Sequence, residues 1–483
     1  GDSSRFFSLP AGPIGFAVGF EYREEKTAQD FDPFDRGILP VSGVTSEGVA
    51  FSAGDFVGDV SNAGSLGEDP SITLLSGASD YDTTDYFAEI SVPLLANLPG
   101  AQELTANGSF RRSDYSTFGE NDTYGYGLVW QPIEDVRFRG SFSRAVRVPN
   151  LFELFSPAQG AFFRPADPCD ATQISTAPDP ALRQANCVAD LRANNVSDDE
   201  LFAADGTYAF QDPLSAGFPG TTGGNSALTE EVADTVTYGV VVQPRFVPGL
   251  TLTVDYWDIE IEDAIVAISS QNIVNGCYDS PSLNNAFCPL ISRNPAADSA
   301  QNGGLTSLNQ TRLNFGAVEA EGYDLGALYQ FEVLGVGVDL SMNATRQDQL
   351  DLIEPASPGE PAVVNPELGE MRRPEWASQF GVGLSYGPYS LSWSGVYYDE
   401  MTLGYEDGGE IETIEQNYGG AGVADARLIQ DIRGAWQASD AITVYGGVSN
   451  LTNRQPYVSE FGYPVSPRGA YFFMGVTYNG AAR

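Results

Sequence analysis

Histidine is absent from all 483 residues, and Lys26 is the only lysine among the 24 basic side chains. Without imidazole there is no Ser-His-Asp triad, no HExxH zinc site and no ordinary neutral-pH acid or base. Positive charge is scarce as well: 65 acidic residues leave a formal charge of −41. That field repels phosphate backbones and argues against nucleic acid as a partner. No stretch approaches the ~18 consecutive apolar residues of a membrane helix. The chain opens at Gly1 with neither a methionine nor a signal peptide, as expected of a processed or partial chain. Cysteines number four, Cys169 with Cys187 and Cys277 with Cys288, and none has CxxC spacing. Three pairings exist in principle. Closure within each local pair is the simplest and implies an oxidising compartment, against free buried thiols as the alternative. A hydrophobic content of 42% with 12% aromatics is too apolar for a disordered acidic chain.

The regular signal is strand pattern. Val336, Val338, Leu340, Met342 and Ala344 take one face, while Gly337, Asp339, Ser341, Asn343 and Thr345 take the other, the period of two of a strand with one apolar and one polar side. The alternation recurs from Leu104 to Phe110, Leu250 to Tyr256, Phe380 to Tyr386 and Ile442 to Val448. No helical stripe stands out. Such runs predict about fourteen strands, near 13–25, 85–95, 101–113, 121–131, 135–144, 229–243, 250–262, 318–331, 336–346, 376–386, 389–399, 423–437, 441–450 and 469–478. The connections alternate between tight turns, such as Ala96 to Gly100 and Gly387 to Pro388, and a mostly long set: 26–84, 145–228, 263–317, 347–375, 400–422 and 451–468, with 114–120 short.

Period two also suits a secreted sandwich or adhesin with its apolar face inward. Three features favour an all-β transmembrane antiparallel barrel. The alternation of short turns with long loops is the habit of outer-membrane barrels. Aromatics gather near strand ends, as in Tyr81, Tyr86 and Phe87, Tyr397 and Tyr398, and Tyr471 to Phe473, where interfacial girdles form. Strands of ~9 to 11 residues match a tilted span of the hydrocarbon layer.

Two segments carry a family resemblance: SFSRAVRVPNLFELF at 141–155, and the closing GGVSNLTNRQPYVSEFGYPVSPRGAYFFMGVTY. Both are similar to the C-terminal half of TonB-dependent outer-membrane receptors. The matching positions are Arg147, Pro149, Asn150, Glu153 and Leu154, then Asn450, Leu451, Asn453 and Arg454. LPAGPIGFAVGFEYREE from Leu9, ISVPLLANLPG from Ile90 and VEAEGYDLGALYQF from Val318 resemble the family in order, so the likeness covers nearly the whole chain. It implies that residues 1–483 are the C-terminal part of a barrel of about 22 strands with a plugged lumen. The N-terminal plug and about eight strands would then lie outside this chain, whether on a separate chain, cut away or simply unrecorded, and the strand near 13–25 is not expected to pair with that near 469–478. Here Tyr478 is followed by Asn-Gly-Ala-Ala-Arg, where the family usually stops at an aromatic residue. The cysteine loops, with PCD around Cys169 and NGCYDSP around Cys277, resemble a proteobacterial subgroup in which oligosaccharide uptake is frequent.

The resemblance implies energy-coupled import of a scarce solute, with TonB acting through the plug, in an outer membrane whose lipopolysaccharide faces the loops. A passive channel is the rival. No catalytic group is expected: carboxylates abound, but none sits in a glycosidase context. Acidic runs at Asp198, Asp199 and Glu200, at Asp348, Asp351 and Glu354, and from Glu406 to Glu415 lack the spacing of an EF-hand; they read as solvated loops, with loop-bound Ca²⁺ as the functional alternative and no other cofactor. Arg144 and Arg147 are expected to pair with lumen carboxylates, with contact to ligand or plug as the functional alternative. Outer-loop aromatics suit sugar stacking or simple loop packing, and the ligand-binding candidates are Phe162, Phe163, Arg164, Tyr278, Tyr405 and Tyr418. With few cations in these loops, a neutral oligosaccharide is favoured over an anionic metal chelate of the siderophore type.

Overall fold

The computed structural model describes residues 8–29, 42–44, 50–51, 77–214, 217–297, 299–314, 316–354, 363–402, 419–457 and 463–479. Strands β1 (Gly15–Gln29), β2 (Gly77–Leu98), β3 (Ala101–Tyr115), β4 (Gly119–Ile133) and β5 (Val136–Arg147) come first. Helix α1 (Leu151–Phe155), strand β6 (Gln159–Phe163), helices α2 (Pro180–Ala193) and α3 (Asp198–Leu201) and strand β7 (Phe218–Gly223) follow. Next are β8 (Glu231–Val242), β9 (Leu250–Glu262), β10 (Ile265–Ala267), α4 (Ser270–Asp279), β11 (Ile291–Arg293) and β12 (Leu305–Asn314). The chain continues with β13 (Ala317–Val333), β14 (Val336–Glu354), β15 (Val363–Pro366), β16 (Trp376–Tyr386) and β17 (Tyr389–Tyr398). It closes with β18 (Arg427–Ser439), β19 (Ile442–Ser449) and β20 (Tyr471–Tyr478).

Fourteen of these strands form one antiparallel wall in chain order, from β1 through β5, then β8, β9, β13, β14 and β16 to β20, with β15 added beside β14. Among the described residues the end strands do not meet: β1 pairs with β2 and β20 with β19. No helix is long and apolar enough to cross a membrane. The register separates the two faces. Phe16, Val18, Phe20 and Tyr22 on β1, Tyr124, Tyr126, Leu128 and Trp130 on β4, and Phe472, Met474, Val476 and Tyr478 on β20 are all exposed. Tyr238, Tyr256 and Tyr323 share one register row, with neighbouring ring centroids 4.8 and 5.2 Å apart. A face this apolar needs hydrocarbon as its solvent, and a closed strand barrel is one of two architectures that satisfy backbone groups there. Met474 lies between the rings of Phe472 and Tyr478 on that face, so Met474→Arg is expected to cost about 2 kcal/mol or more. Folding titrations in lipid vesicles measure this; an unchanged midpoint would place Met474 away from lipid.

Several strands outrun the expected 9 to 11 residues, up to the 22 of β2. The extensions point toward the long connections, so part of the predicted 26–84 and 347–375 loops is strand. There the outer face turns acidic: Asp258 stands opposite Glu321 and Glu260 opposite Glu319. The tight set of connections agrees with expectation. The β13–β14 turn uses Leu334 (φ 53°) and Gly335 (φ 78°), the mirror-image hairpin geometry that suits Asn-Gly. Leu334 is 96% exposed and gains nothing to offset a left-handed backbone, which costs a side chain with a Cβ about 1 to 2 kcal/mol. Leu334→Asn is therefore expected to raise the thermal midpoint; a fall would show that the side chain is held by contacts outside this chain.

Helices form where no helical stripe stands out in the sequence. Helix α2 is 14 residues long, capped by Asp179 accepting from the amides of Ala181 and Leu182, with Pro180 in its first turn. Its buried positions are Arg183, Asn186, Cys187 and Leu191. They fall at helical spacing, but half are polar, so no hydrophobic stripe marks them.

Candidate functional site

The loops 145–228 and 263–317 fold together into one body above the wall. Strands β10, β12, β7 and β6 form its sheet in that order, with β11 also beside β12. Gly220 is required at the crossing of β7 and β12: a Cβ there would lie 2.1 Å from the Leu308 carbonyl oxygen and 2.6 Å from the Phe163 ring. The core behind this sheet contains Phe163, Leu191, Leu201, Phe210, Phe218, Ile273, Val274, Tyr278, Phe287, Leu305 and Leu308. The local cysteine pairing is the one formed, Cys169–Cys187 (2.04 Å) and Cys277–Cys288 (2.00 Å).

Charge locks the two loops to each other. The Arg293 guanidinium, 1% exposed, donates to both carboxylate oxygens of Asp167 at 2.6 and 2.7 Å. It also reaches Asp190 at 3.1 Å and the Tyr278 hydroxyl at 2.7 Å. Burial opposes the Arg293 charge, but Asp167, Tyr278 and Asp190 outweigh it and hold the group well above its ordinary range. Burial pushes the Tyr278 phenol up too. A second buried pair, Arg183 with Asp279, spans the same junction, and the Asn186 amide donates to the carbonyls of Tyr278 and Ser280.

Asp170 adds a pH-dependent contact. Burial pushes its carboxyl up, but the Thr172 hydroxyl and the amides of Asp212 and Thr172 outweigh this and hold it below the usual range. A lowered carboxyl stabilises above its unfolded value, about pH 3.9, and that contribution is lost as pH falls through the folded value. Acidification below about pH 4 is thus expected to loosen the loop body; in Asp170→Asn, monitored by protease sensitivity, part of that acid dependence should vanish.

The predicted ligand contacts divide. Phe162 is 59% exposed and Arg164 is exposed, so both are on the surface. Phe163 and Tyr278, at 7% and 0%, are core residues; Tyr278 also donates from its hydroxyl to Asp190. Hydrophobic loop aromatics packed because two loops could share a core, which no single loop shows. Tyr405, Tyr418 and the Glu406 to Glu415 run lie outside the described residues. Asp198, Asp199 and Glu200 form the first turn of α3, where Glu200 closes a capping box with Ser197, and negative charge suits that helix end.

The 147–154 motif has a structural logic. Arg147 pairs with Glu231 on β8 and with Glu153 on α1. Asn150 caps α1 by accepting from the amides of Phe152 and Glu153, and Glu153 returns a bond to the Asn150 amide. Pro149 is fully buried, and Leu154 packs with Leu228 and Ile265. Arg147 faces the inner side as expected. Arg144 does not: it pairs with Asp234 on the face of Phe138 and Phe142, because one step along a strand reverses the side.

On the inner face, two clefts of about 700 and 650 Å³ lie against β2 to β5. Their polar lining includes Ser91, Asn107, Ser109, Ser141, Ser143 and Thr237. Arginines here are occupied: Arg111 by Asp85 and Glu21, Arg139 by Asp255. A smaller cleft of about 240 Å³ opens where α1 meets the loop sheet, between Phe152, Gln159, Thr222, Gln310 and Arg312. Sequence reasoning passed over Phe152 and the glutamines, since only strand pairing brings them together. Among the described residues no group of three or more Cys, Asp or Glu is arranged to hold a metal ion.

The family model described as TonB dependent receptor-like, beta-barrel, matches residues 6–451. The chain belongs to this family. Its relatives of known structure share the fold at low identity. A ferric enterobactin receptor variant from Pseudomonas aeruginosa, in complex with enterobactin, is 15% identical with a TM-score of 0.57, over 98% of this chain and 52% of that one. The siderophore receptor PirA from Acinetobacter baumannii is 12% identical with a TM-score of 0.55, over 98% and 53%. The FrpB iron transporter from Neisseria meningitidis is 13% identical with a TM-score of 0.50, over 96% and 52%. This barrel chain therefore spans about half the length of these receptors. A search of curated proteins finds no match. The family is one of outer-membrane transport receptors, and the apolar outer face suits a membrane.

Proposed function

We propose that this TonB-dependent barrel chain forms the lumen wall and outer capture surface of a receptor that imports a polar, hydroxyl-rich solute of the oligosaccharide class. The observation that carries this reading is the inner wall itself. Its two larger clefts present hydroxyls, amides and glycine backbone, and on the inner face of the wall strands Arg111, Arg139 and Arg147 are already committed to carboxylates and Arg433 to the Tyr445 ring. An anionic ferric chelate would need free cations there to offset a chain of charge −41. A sugar needs only hydrogen-bond partners and flat rings.

Among the described residues β1 pairs with β2 and β20 with β19, and not with each other, which supports completion of the barrel by further strands, since exposed backbone is not tolerated in lipid. TonB would act through a plug contributed with those strands. Growth of a deletion strain on defined oligosaccharides, compared with growth under iron limitation, tests the substrate class. Loss of fitness on a saccharide is expected; loss only when iron is scarce would establish the metal-chelate reading instead.

A further inference from the structure

The small cleft beneath the loop sheet differs from the rest of the wall in carrying an uncommitted cation. Gln159 stands in register with Thr222 across β6 and β7, and Thr222 with Gln310 across β7 and β12. Arg312 follows Gln310 by two residues on β12, so it shares that face. The far end of the same face packs Phe163, Phe218 and Leu308 into the core; the near end opens into the cleft. Phe152, 61% exposed, forms the facing wall from α1. Among the described residues the Arg312 guanidinium has no carboxylate within ion-pair distance, although acids outnumber bases 65 to 24 in the chain. Its backbone carbonyl, by contrast, is held by the Asn225 side chain, which fixes the strand at this point. The Gln159 amide and the Thr222 hydroxyl also lack partners among the described residues, and Gln310 spends one donor on the Ile268 carbonyl.

A planar fork matches a carboxylate in two parallel hydrogen bonds. An exposed ring offers a stacking face, and amides and a hydroxyl beside both suit vicinal hydroxyls. We infer that this cleft is a subsite for a uronate-type sugar ring, with Arg312 holding the carboxylate, Phe152 stacking on the ring, and Gln159, Thr222 and Gln310 reading its hydroxyls. The inference rests on the oligosaccharide reading and sharpens it. Only one residue of the imported chain need be acidic, which the surrounding negative field tolerates better than a polyanion. A volume of about 240 Å³ admits a single ring and excludes a bulky metal chelate from this position.

The test uses the complete receptor in detergent, titrated with short neutral oligosaccharides that carry a single galacturonate, glucuronate or mannuronate residue and with their neutral methyl esters. At least one acid is expected to bind about ten- to a hundredfold more tightly than its ester, the scale of a charge-assisted hydrogen bond pair. Arg312→Gln should abolish that preference, lowering acid affinity about ten- to a hundredfold and ester affinity far less. Phe152→Ala should weaken acid and ester alike, by about fivefold. Equal affinity for acid and ester, or a preference that survives Arg312→Gln, overturns the subsite while leaving the oligosaccharide reading standing. Failure to bind any of these sugars by a receptor that still binds a ferric chelate overturns both.

Discussion

Arg293→Ala is expected to unfold the loop body while the wall stays intact. The substitution leaves Asp167, with no exposed side-chain surface, as a buried carboxylate without its cation. It also strips a donor from Asp190 and the Tyr278 hydroxyl. Removing one member of a buried ion pair costs about 3 to 5 kcal/mol, chiefly from the stranded charge. The loss falls on the junction between the two loops, because Asp167 and Asp190 come from one and Arg293 and Tyr278 from the other. Hydrogen exchange should rise across 159–314 while the wall strands keep their protection. Replacing Arg293 with Met together with Asp167 with Leu should recover part of the loss, since an apolar pair of similar volume needs no counter-charge. Unaltered exchange in the loop body of Arg293→Ala would disprove the interlock.

Reduction and alkylation of both disulfides should have an effect at least as large. The bonds close segments 18 and 11 residues apart, each worth about 3 kcal/mol in the chain-entropy model. Their placement amplifies the loss. Cys169 fixes the turn that carries Asp167, and Cys187 lies on α2 with Arg183 and Asp190, so opening the bond frees one side of the Arg293 network from the other. Protease cleavage within 159–314 is expected to appear at lower temperature, and the melting of the wall should be unaffected. Equal resistance before and after reduction would assign the stability of this body to its core and ion pairs alone.

The wall was legible because the solvent on its outer side imposes a local rule. Every second residue must be apolar, and no partner elsewhere in the chain can relax that demand; the strands at 250–262 and 376–386 accordingly match their predicted limits. Where the outer face leaves the apolar band the rule lapses, and the acidic extension of β2 through Asp80 and Asp82 read as loop. The family motif was equally legible, though not its reason. Arg147 and Glu153 are close in sequence, but the other carboxylate that Arg147 holds, Glu231, is 84 residues away.

What the sequence by itself determined is therefore the class of architecture: a strand wall with one greasy face, turns at one rim, loops at the other, and two locally paired disulfides. The tertiary structure decided the rest. It made a single body of two loops through pairs such as Asp167 with Arg293, 126 residues apart, and Arg183 with Asp279, 96 apart. It moved Tyr278 from a surface candidate to the core and brought Phe152 to face Arg312 across a cleft. The physical reason is that hydrocarbon acts on each strand separately, through period and hydropathy. A charge or a ring in a loop, by contrast, takes its role from whichever distant segment folds against it, and an arginine left without a carboxylate can be recognised only in the folded chain.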